Sequence, residues 1–267
     1  MSLTRLALKF AVPAVKLEAY RRYLFIGPHP DDIEIGAGAT AARLAAGGKD
    51  VAFLICTDGR YGDGATALRG DELAEERKRE AIASAKMLGV TDVRFIGLCD
   101  GAGYDVDELL RGIARTVGEF KPDVIFAPDQ DVDSECHADH LNVGRCARQI
   151  ACFAPYGGIM AGYEAESAPV KVLAYYMTAR PNTYVASGGY IRRQLDAVFS
   201  CHKTQFPDGS ADAKAIALFD KFALFTNARI DRTTVPEGWY CYDFRGTGND
   251  PGELRFIEES VVVNHSG

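Results

Sequence analysis

The sequence lacks the features that mark membrane, repeat and nucleic-acid-binding proteins. No apolar stretch approaches the roughly 18 residues of a transmembrane helix, and no internal repeat or low-complexity tract stands out. There is no basic stripe, and the net charge is −7. This charge disfavours a nucleic-acid partner, because such binding relies on Lys and Arg to neutralise phosphates. These absences predict a soluble globular protein with no membrane span.

Cysteine pairing motifs are also lacking. The seven cysteines are an odd number and show no Cys-x-x-Cys spacing, which argues against a disulfide framework and against a thiolate zinc site. The mildly apolar residues 1–15 are interrupted by Lys9 and are followed by no convincing cleavage site, so a signal peptide is disfavoured. We therefore expect a cytoplasmic protein, and a homo-oligomer is compatible with the sequence.

The apolar pattern predicts an α/β fold. Five short β-branched or aromatic runs alternate with segments whose apolar residues have helical spacing, which indicates βαβ units around a parallel sheet. The predicted strands are 23–26, 51–56, 93–96, 124–127 and 172–176. The predicted helices are 36–46, 71–88, 107–120, 137–153, 190–201 and 211–225. We expect a Rossmann-like, doubly wound, mostly parallel sheet with helices on both faces.

The length of the chain fits one domain. A doubly wound domain commonly has about this size, so we interpret residues 1–267 as a single α/β domain. Its catalytic core covers about residues 22–206. Residues 207–267, which include an aromatic tail beginning at Trp239, are predicted to form a C-terminal cap.

Two polar motifs follow predicted strands. His29-Pro30-Asp31-Asp32 comes directly after the first strand, and ligands of open α/β sheets bind beyond the carboxyl ends of strands. His137-Ala138-Asp139-His140 follows the fourth strand and opens a helix. Two histidines at i and i+3 lie on one face of a helix, so both can point at one ion or one substrate. The two motifs together predict one shared site.

This set of side chains fits a hydrolytic zinc site. Such a zinc takes three protein ligands and leaves a position for water, whose pKa falls from about 15.7 towards about 7. We assign His29, Asp32 and His140 to the metal. Asp31 is then the base that deprotonates water, and His137 stabilises the oxyanion or protonates the leaving amine.

Each motif has a simpler interpretation when it is taken alone. Pro and Asp favour turns, so residues 29–32 fit a solvated turn. His137 and His140 fit an exposed helix face, with Asp139 complementing the helix dipole. In the catalytic interpretation, Asp139 instead orients His137. Because both motifs lie just past strand ends, a shared site is the better interpretation.

These residues resemble the PIG-L/LmbE-like metal-dependent de-N-acetylase family. The resemblance rests on the motifs at 29–32 and 137–144 and spans roughly residues 22–206. Smaller matching segments are Gly36-Ala37-Gly38, Thr57-Asp58-Gly59, Arg77 with Glu80, Leu88-Gly89-Val90, residues 95–101 and residues 202–205. The family resemblance implies a Rossmann-like fold, the same ligand set, and removal of an N-acetyl group from an amino sugar or a related small N-acetylated conjugate.

The resemblance further implies that Arg77 and Asp100 contact sugar hydroxyls or other polar groups of the substrate. Asp100 also fits a turn former before Gly101, and Arg77 also fits an ion pair on an exposed helix. The sequence departs from the family pattern at Arg60, where relatives often carry Glu. It also departs in the acidic loop 129–135, which we interpret as a solvated rim that could favour a cationic or polar substrate.

Three further positions have two interpretations each. His202 and Gln205 could close the pocket or cap a helix end. Trp239 could line a sugar platform, or it could pack in the core or at an interface.

Two other enzyme classes fit less well. The glycines at 36–41 loosely match a dinucleotide-binding fingerprint, but they begin about ten residues after the strand. Asp31, Asp32 and Glu34 lie between and would repel a pyrophosphate. An ester or phosphoester hydrolase would keep the metal, although phosphoryl chemistry usually recruits a second metal or several cations. Zinc is the expected ion, and other divalent transition metals suit the same ligands.

Overall fold

The sheet and its helices were located in a computed structural model that describes residues 17–178, 183–186, 189–207 and 239–246. The strands are Arg22–Gly27 (β1), Asp50–Thr57 (β2), Asp92–Leu98 (β3), Val124–Pro128 (β4), Val172–Tyr176 (β5), Thr183–Ala186 (β6) and Trp239–Gly246 (β7). The helices are Asp32–Ala46 (α1), Gly70–Met87 (α2), Val106–Phe120 (α3), Ala138–Phe153 (α4), Gly157–Gly162 (α5) and Tyr190–Cys201 (α6).

The strands form one sheet in the order β3-β2-β1-β4-β5-β7-β6. Strands β1 to β5 are parallel, whereas β7 is antiparallel to β5 and β6 is antiparallel to β7. The predicted mostly parallel α/β sheet is therefore confirmed. The strand order reverses between β1 and β4, and such a reversal opens a crevice at the carboxyl ends of the strands. The loops after β1 and β4 lie at this crevice.

Strand β1 contributes to the core on both faces of the sheet, because successive side chains of a strand point in opposite directions. Tyr23 and Phe25 belong to the cluster that includes residues of α1, α2 and α6. Leu24 and Ile26 belong to the cluster that includes residues of α3 and α4. All of these β1 side chains are fully buried. The predicted placement of helices on both faces is confirmed, and β1 is anchored firmly beneath the loop that follows it.

Helix α1 begins earlier than predicted, at Asp32 instead of Gly36. Asp31 occupies the N-cap position, and Asp32 and Glu34 lie in the first turn. Negative side chains there are stabilised by the positive end of the helix dipole, which explains the early start. As a result, Asp32 projects from a helix and not from a loop. The predicted end of α2 is confirmed, since Gly89 follows the helix with φ +87°.

The antiparallel edge of the sheet was not predicted. The aromatic residues 239–246 were assigned to a cap, whereas their backbone forms β7 and pairs with β5. This pairing joins segments far apart in sequence, which local periodicity cannot reveal. The predicted helix 211–225 lies outside the described residues. Among the helices of the described part, none combines the length and apolar character that a membrane span requires.

Candidate metal centre

His29 follows β1 and is held on both edges of its ring. Its Nδ1 lies 2.9 Å from Asp32 Oδ2, while its Nε2 lies 3.1 Å from both Asp100 Oδ1 and Asp139 Oδ2. Burial lowers the pKa of His29, but the hydrogen bonds to these carboxylates raise it to about 12. A metal ion that binds this imidazole must therefore displace a proton.

His140 approaches Asp32 from the first turn of α4. Its Nε2 lies 3.4 Å from Asp32 Oδ2. Burial raises the pKa of Asp32, but hydrogen bonds from His140 and His29 outweigh this effect and hold it well below its usual range. The three predicted ligand residues each offer one ligand atom, and these atoms lie within 4.8 Å of one another. Two imidazole nitrogens and one carboxylate oxygen form a donor set that fits zinc.

A second group of possible ligands shares His29. It comprises His29, Asp100, His137 and Asp139, again with one ligand atom each within 4.8 Å. In this group Asp139 is fully buried, and its carboxylate accepts hydrogen bonds of 2.8 Å from the backbone N–H groups of Gly101 and Ala102. This carboxylate is thus held chiefly by the loop that follows β3.

Asp139 lies nearer to His29 than to the histidine that it was predicted to orient. Its Oδ2 is 3.1 Å from His29 Nε2 but 3.8 Å from His137 Nδ1. His137 is the N-cap of α4, and its Nδ1 accepts a hydrogen bond from the backbone N–H of Asp139 at 3.3 Å. With 46% of its side chain exposed, His137 is the open side of the site.

The Asp31 carboxylate lies beside Asp32 and is 7% exposed. It accepts a hydrogen bond of 2.9 Å from Arg77 Nη2. Burial raises the pKa of Asp31, the charge of Arg77 opposes this, Asp32 adds to it, and the result is about 6. A carboxylate with this pKa can exchange protons near neutral pH.

The loop after β2 encloses the Arg77 guanidinium. Arg77 Nη1 donates to the carbonyl of Gly59 at 3.0 Å. A Cβ atom at Gly59, whose φ is +67°, would lie 2.3 Å from Arg77 Nη1, and one at Gly62 would lie 2.6 Å from it. A side chain at either position would therefore have to displace the Arg77 guanidinium, and Arg77 itself is only 3% exposed.

The structure gives protein partners to both residues that were predicted to contact substrate. Arg77 contacts Asp31, as described. Asp100, which is 6% exposed, contacts His29 and also accepts a hydrogen bond of 3.2 Å from the backbone N–H of Tyr61. Their contact with substrate stays a prediction.

Glu135 was predicted only as part of a solvated rim, yet it reaches the site. Its Oε2 lies 2.9 Å from His140 Nδ1, and its Oε1 accepts a hydrogen bond of 2.7 Å from the backbone N–H of His137. Its proximity to the second motif in sequence was the available signal, but the three other acids of the loop obscured it.

A buried polar group lies behind Asp31 and joins the end of α6 to α1 and α2. His202 is fully buried, and its Nε2 is 3.4 Å from Glu34 Oε1. Thr204 donates to Glu80 from its backbone N–H at 2.8 Å and from its hydroxyl at 2.6 Å. His202 is the C-cap of α6, so the helix-end interpretation fits its position.

The other open positions lie at the periphery. Gln205 Nε2 donates to the carbonyl of Gly62 at 2.6 Å. Arg60 pairs with Asp58 at 2.6 Å and with Asp71 at 3.0 Å. The side chain of Trp239 lies outside what the structure describes.

Two family models match the chain. The model described as PIG-L, GlcNAc-PI de-N-acetylase, matches residues 24–151, which include both motifs of the site. The model described as Large polyvalent protein associated domain 28 matches residues 210–267, of which the structure describes only 239–246. The interpretation of residues 1–267 as a single domain stays a prediction.

Curated relatives and solved structures extend the match beyond the family model. Diacetylchitobiose deacetylase from Thermococcus kodakarensis is 31% identical over 193 residues, which cover 70% of this chain and 71% of the relative. A 1D-myo-inositol 2-acetamido-2-deoxy-alpha-D-glucopyranoside deacetylase from Thermobispora bispora is 29% identical over 279 residues, covering 90% and 88%. The structure of N,N'-diacetylchitobiose deacetylase from Pyrococcus horikoshii superposes with a TM-score of 0.78 at 25% identity, covering 93% of this chain and 91% of that one. The sequence motifs, the fold and these matches agree, and the chain belongs to the PIG-L (GlcNAc-PI de-N-acetylase) family.

Proposed function

We propose that this protein is a zinc-dependent deacetylase that removes the N-acetyl group from an amino sugar or a related small N-acetylated conjugate. The observation that carries the proposal is the convergence of His29, Asp32 and His140 beside the Asp31 carboxylate. The names of the two curated relatives specify N-acetylated sugars, which supports this substrate class.

In the proposal, His29 Nδ1, Asp32 Oδ2 and His140 Nε2 hold the metal. These atoms face one another, whereas the second ring nitrogen of each histidine is bonded to a carboxylate. When bound, zinc supplies Lewis-acid chemistry: it polarises the acetyl carbonyl and makes water more acidic. The donor set also accepts iron, cobalt or nickel, so the identity of the metal as zinc is a separate part of the proposal.

Asp31 is proposed as the general base. Its carboxylate takes a proton from water as the water oxygen attacks the acetyl carbon. Arg77 holds this carboxylate from behind at 2.9 Å, which keeps it oriented towards the reacting water. The bond between the carbonyl carbon and the nitrogen then breaks, the proton that Asp31 took from water passes to this nitrogen, and acetate and a free amine are the products.

His137 is proposed as the donor to the oxyanion or to the leaving amine. Its Nδ1 accepts a hydrogen bond from the backbone, so in the neutral ring Nε2 carries the proton. This N–H can donate a hydrogen bond to the oxyanion or to the leaving nitrogen, because the side chain is half exposed. Asp139 is proposed to act through His29, whose ring it holds, and thereby to support the metal ligand.

Arg77 and Asp100 remain proposed substrate contacts. A carboxylate offers about four lone-pair sites, so Asp100 can accept a substrate hydroxyl in addition to its bonds with His29 and Tyr61.

The test is acetate release from a panel of N-acetylated sugars by zinc-loaded protein. An acetyl ester and a phosphomonoester are included as substrates that test the two alternative hydrolase classes. We expect acetate from at least one N-acetylated sugar with wild-type protein, and release that is about 10²- to 10⁴-fold slower with Asp31→Asn. Turnover of the phosphomonoester or of the ester alone would overturn the deacetylase assignment.

A further inference from the structure

We propose that Glu135 is a positioning residue, which fixes the His140 imidazole in the tautomer and the orientation that bind the metal. The proposal rests on the proposed metal site, but it does not depend on the deacetylase reaction. It assigns a role to one residue of the acidic loop 129–135. From the sequence alone, this loop was interpreted as a solvated rim.

The Glu135 carboxylate is fixed by bonds at both of its oxygens. Oε2 lies 2.9 Å from His140 Nδ1, and Oε1 accepts the backbone N–H of His137 at 2.7 Å. The Glu135 backbone N–H in turn donates to the carbonyl of Val132 at 3.0 Å. The carboxylate cannot rotate without losing one of these bonds, so it presents a fixed acceptor to His140.

A fixed carboxylate decides which nitrogen of His140 carries the proton. An ionised carboxylate only accepts hydrogen bonds, so the neutral His140 ring carries its proton on Nδ1. The lone pair is then on Nε2, which is the nitrogen that lies 3.4 Å from Asp32 Oδ2. Carboxylates behind histidine ligands set the tautomer and raise ligand basicity in this way.

The two histidine ligands have the same arrangement. His29 directs Nδ1 to Asp32 and Nε2 to the carboxylates of Asp100 and Asp139. His140 directs Nε2 to Asp32 and Nδ1 to Glu135. Each ring therefore has one nitrogen that faces the proposed metal and one that contacts a supporting carboxylate. Histidine ligands of metal sites have this arrangement, and an acidic surface does not require it.

The other acids of the loop have different surroundings. Asp129 is 4% exposed and accepts a threonine hydroxyl at 2.6 Å, and Asp131 lies 3.5 Å from Arg148. Asp133 is exposed. Asp133 therefore provides a matched control, because its substitution removes the same charge from the same loop without touching His140.

The experiment compares Glu135→Gln with Asp133→Asn. The zinc dissociation constant of each full-length variant is measured by competition with a chromophoric chelator at fixed pH. We expect Glu135→Gln to weaken zinc binding by about 10- to 100-fold and Asp133→Asn to leave it unchanged. Excess zinc should restore occupancy in Glu135→Gln, as judged by elemental analysis. Equal weakening in both variants would identify a general charge effect and overturn the proposal, as would wild-type affinity in Glu135→Gln.

A second variant separates geometry from charge. Glu135→Asp keeps the negative charge but is one methylene shorter, so it cannot reach both His140 and the backbone of His137. We expect it to weaken zinc binding as well, and the visible spectrum of the cobalt-substituted variant should differ from that of wild type. Wild-type affinity with an unchanged cobalt spectrum would overturn the positioning role. If no N-acetylated substrate were cleaved by any variant, the proposed function would fail while these measurements of metal binding would stand.

Discussion

The two motifs that form the site differ in how they are held. The motif after β1 is deeply buried: His29, Asp31 and Asp32 are each less than a tenth exposed, and their partners come from distant parts of the chain. The motif at the start of α4 is more open at its two histidines, with side-chain exposures of 46% for His137 and 15% for His140, whereas its Asp139 is fully buried. The first motif therefore supplies fixed charges, and the two histidines of the second motif are the groups that can meet solvent and substrate. Substitutions in the two motifs should accordingly fail in different ways.

The largest expected effect is that of Asp31→Asn. The amide cannot accept the proton from water, so the turnover number should fall by about 10²- to 10⁴-fold. Zinc content should stay stoichiometric, because His29, Asp32 and His140 remain. Steady-state acetate release and elemental analysis on the same sample check both parts. Wild-type turnover would remove Asp31 from its role.

His140→Ala should instead remove the metal. Loss of a direct ligand should weaken zinc binding by more than about 100-fold, which is the upper end of the effect of removing a residue that only supports a ligand. The control is His137→Ala, one helical turn away on the same helix, which should keep zinc and lose rate. Dialysis followed by elemental analysis separates the two variants. Stoichiometric zinc in His140→Ala would exclude it from the ligand set.

Asp139→Asn tests how a carboxylate of the second motif supports the buried His29 of the first motif. The amide can accept only at its oxygen, so it cannot satisfy His29, Gly101 and Ala102 as the carboxylate does. The free energy of unfolding should fall by about 1–3 kcal/mol, and zinc binding should weaken by about 10-fold or more. Urea denaturation of the metal-free protein measures the first effect independently of the second. Unchanged values for both would mean that the contacts of Asp139 contribute nothing measurable.

The smallest expected effect concerns pH. Since the neighbouring carboxylates raise the pKa of metal-free His29 to about 12, a proton and the metal compete for this ring throughout the neutral range. Apparent zinc affinity should therefore increase as pH rises, by about tenfold per pH unit for one displaced proton. Calorimetry in buffers with different ionisation enthalpies counts the protons released. Zinc binding without proton release would contradict the raised pKa of His29 and the role of the carboxylates that hold it.

The parallel half of the fold was predictable from periodicity. Buried runs such as Tyr23–Ile26 give the strands, and Gly89, whose φ is +87°, marks a helix end. Strand β7 was not predictable, because its partner β5 lies far away in sequence. Residues 183–186, which form β6, carry too short a pattern to be distinguished from a loop.

Within the site, the identities of the chemical groups were predictable and their contacts were not. The sequence brought His29, Asp32 and His140 together because both motifs follow strand ends. The pairing of carboxylates with histidines depends on two loops, one that follows β3 and one that precedes α4. Asp139 faces Gly101 and Ala102, and Glu135 contacts His140 although the residues on either side of it are exposed. Such directions are decided by tertiary contacts and leave no periodic signal.

The narrow space around Arg77 has a consequence for variation at this site. A methyl group at position 59 would fall 2.3 Å from the guanidinium nitrogen, and that nitrogen belongs to the group holding Asp31. A side chain added to the loop would therefore displace the arginine and release the base, even though the loop itself need not touch substrate. Homologues with any other residue at position 59 should therefore also differ at position 77.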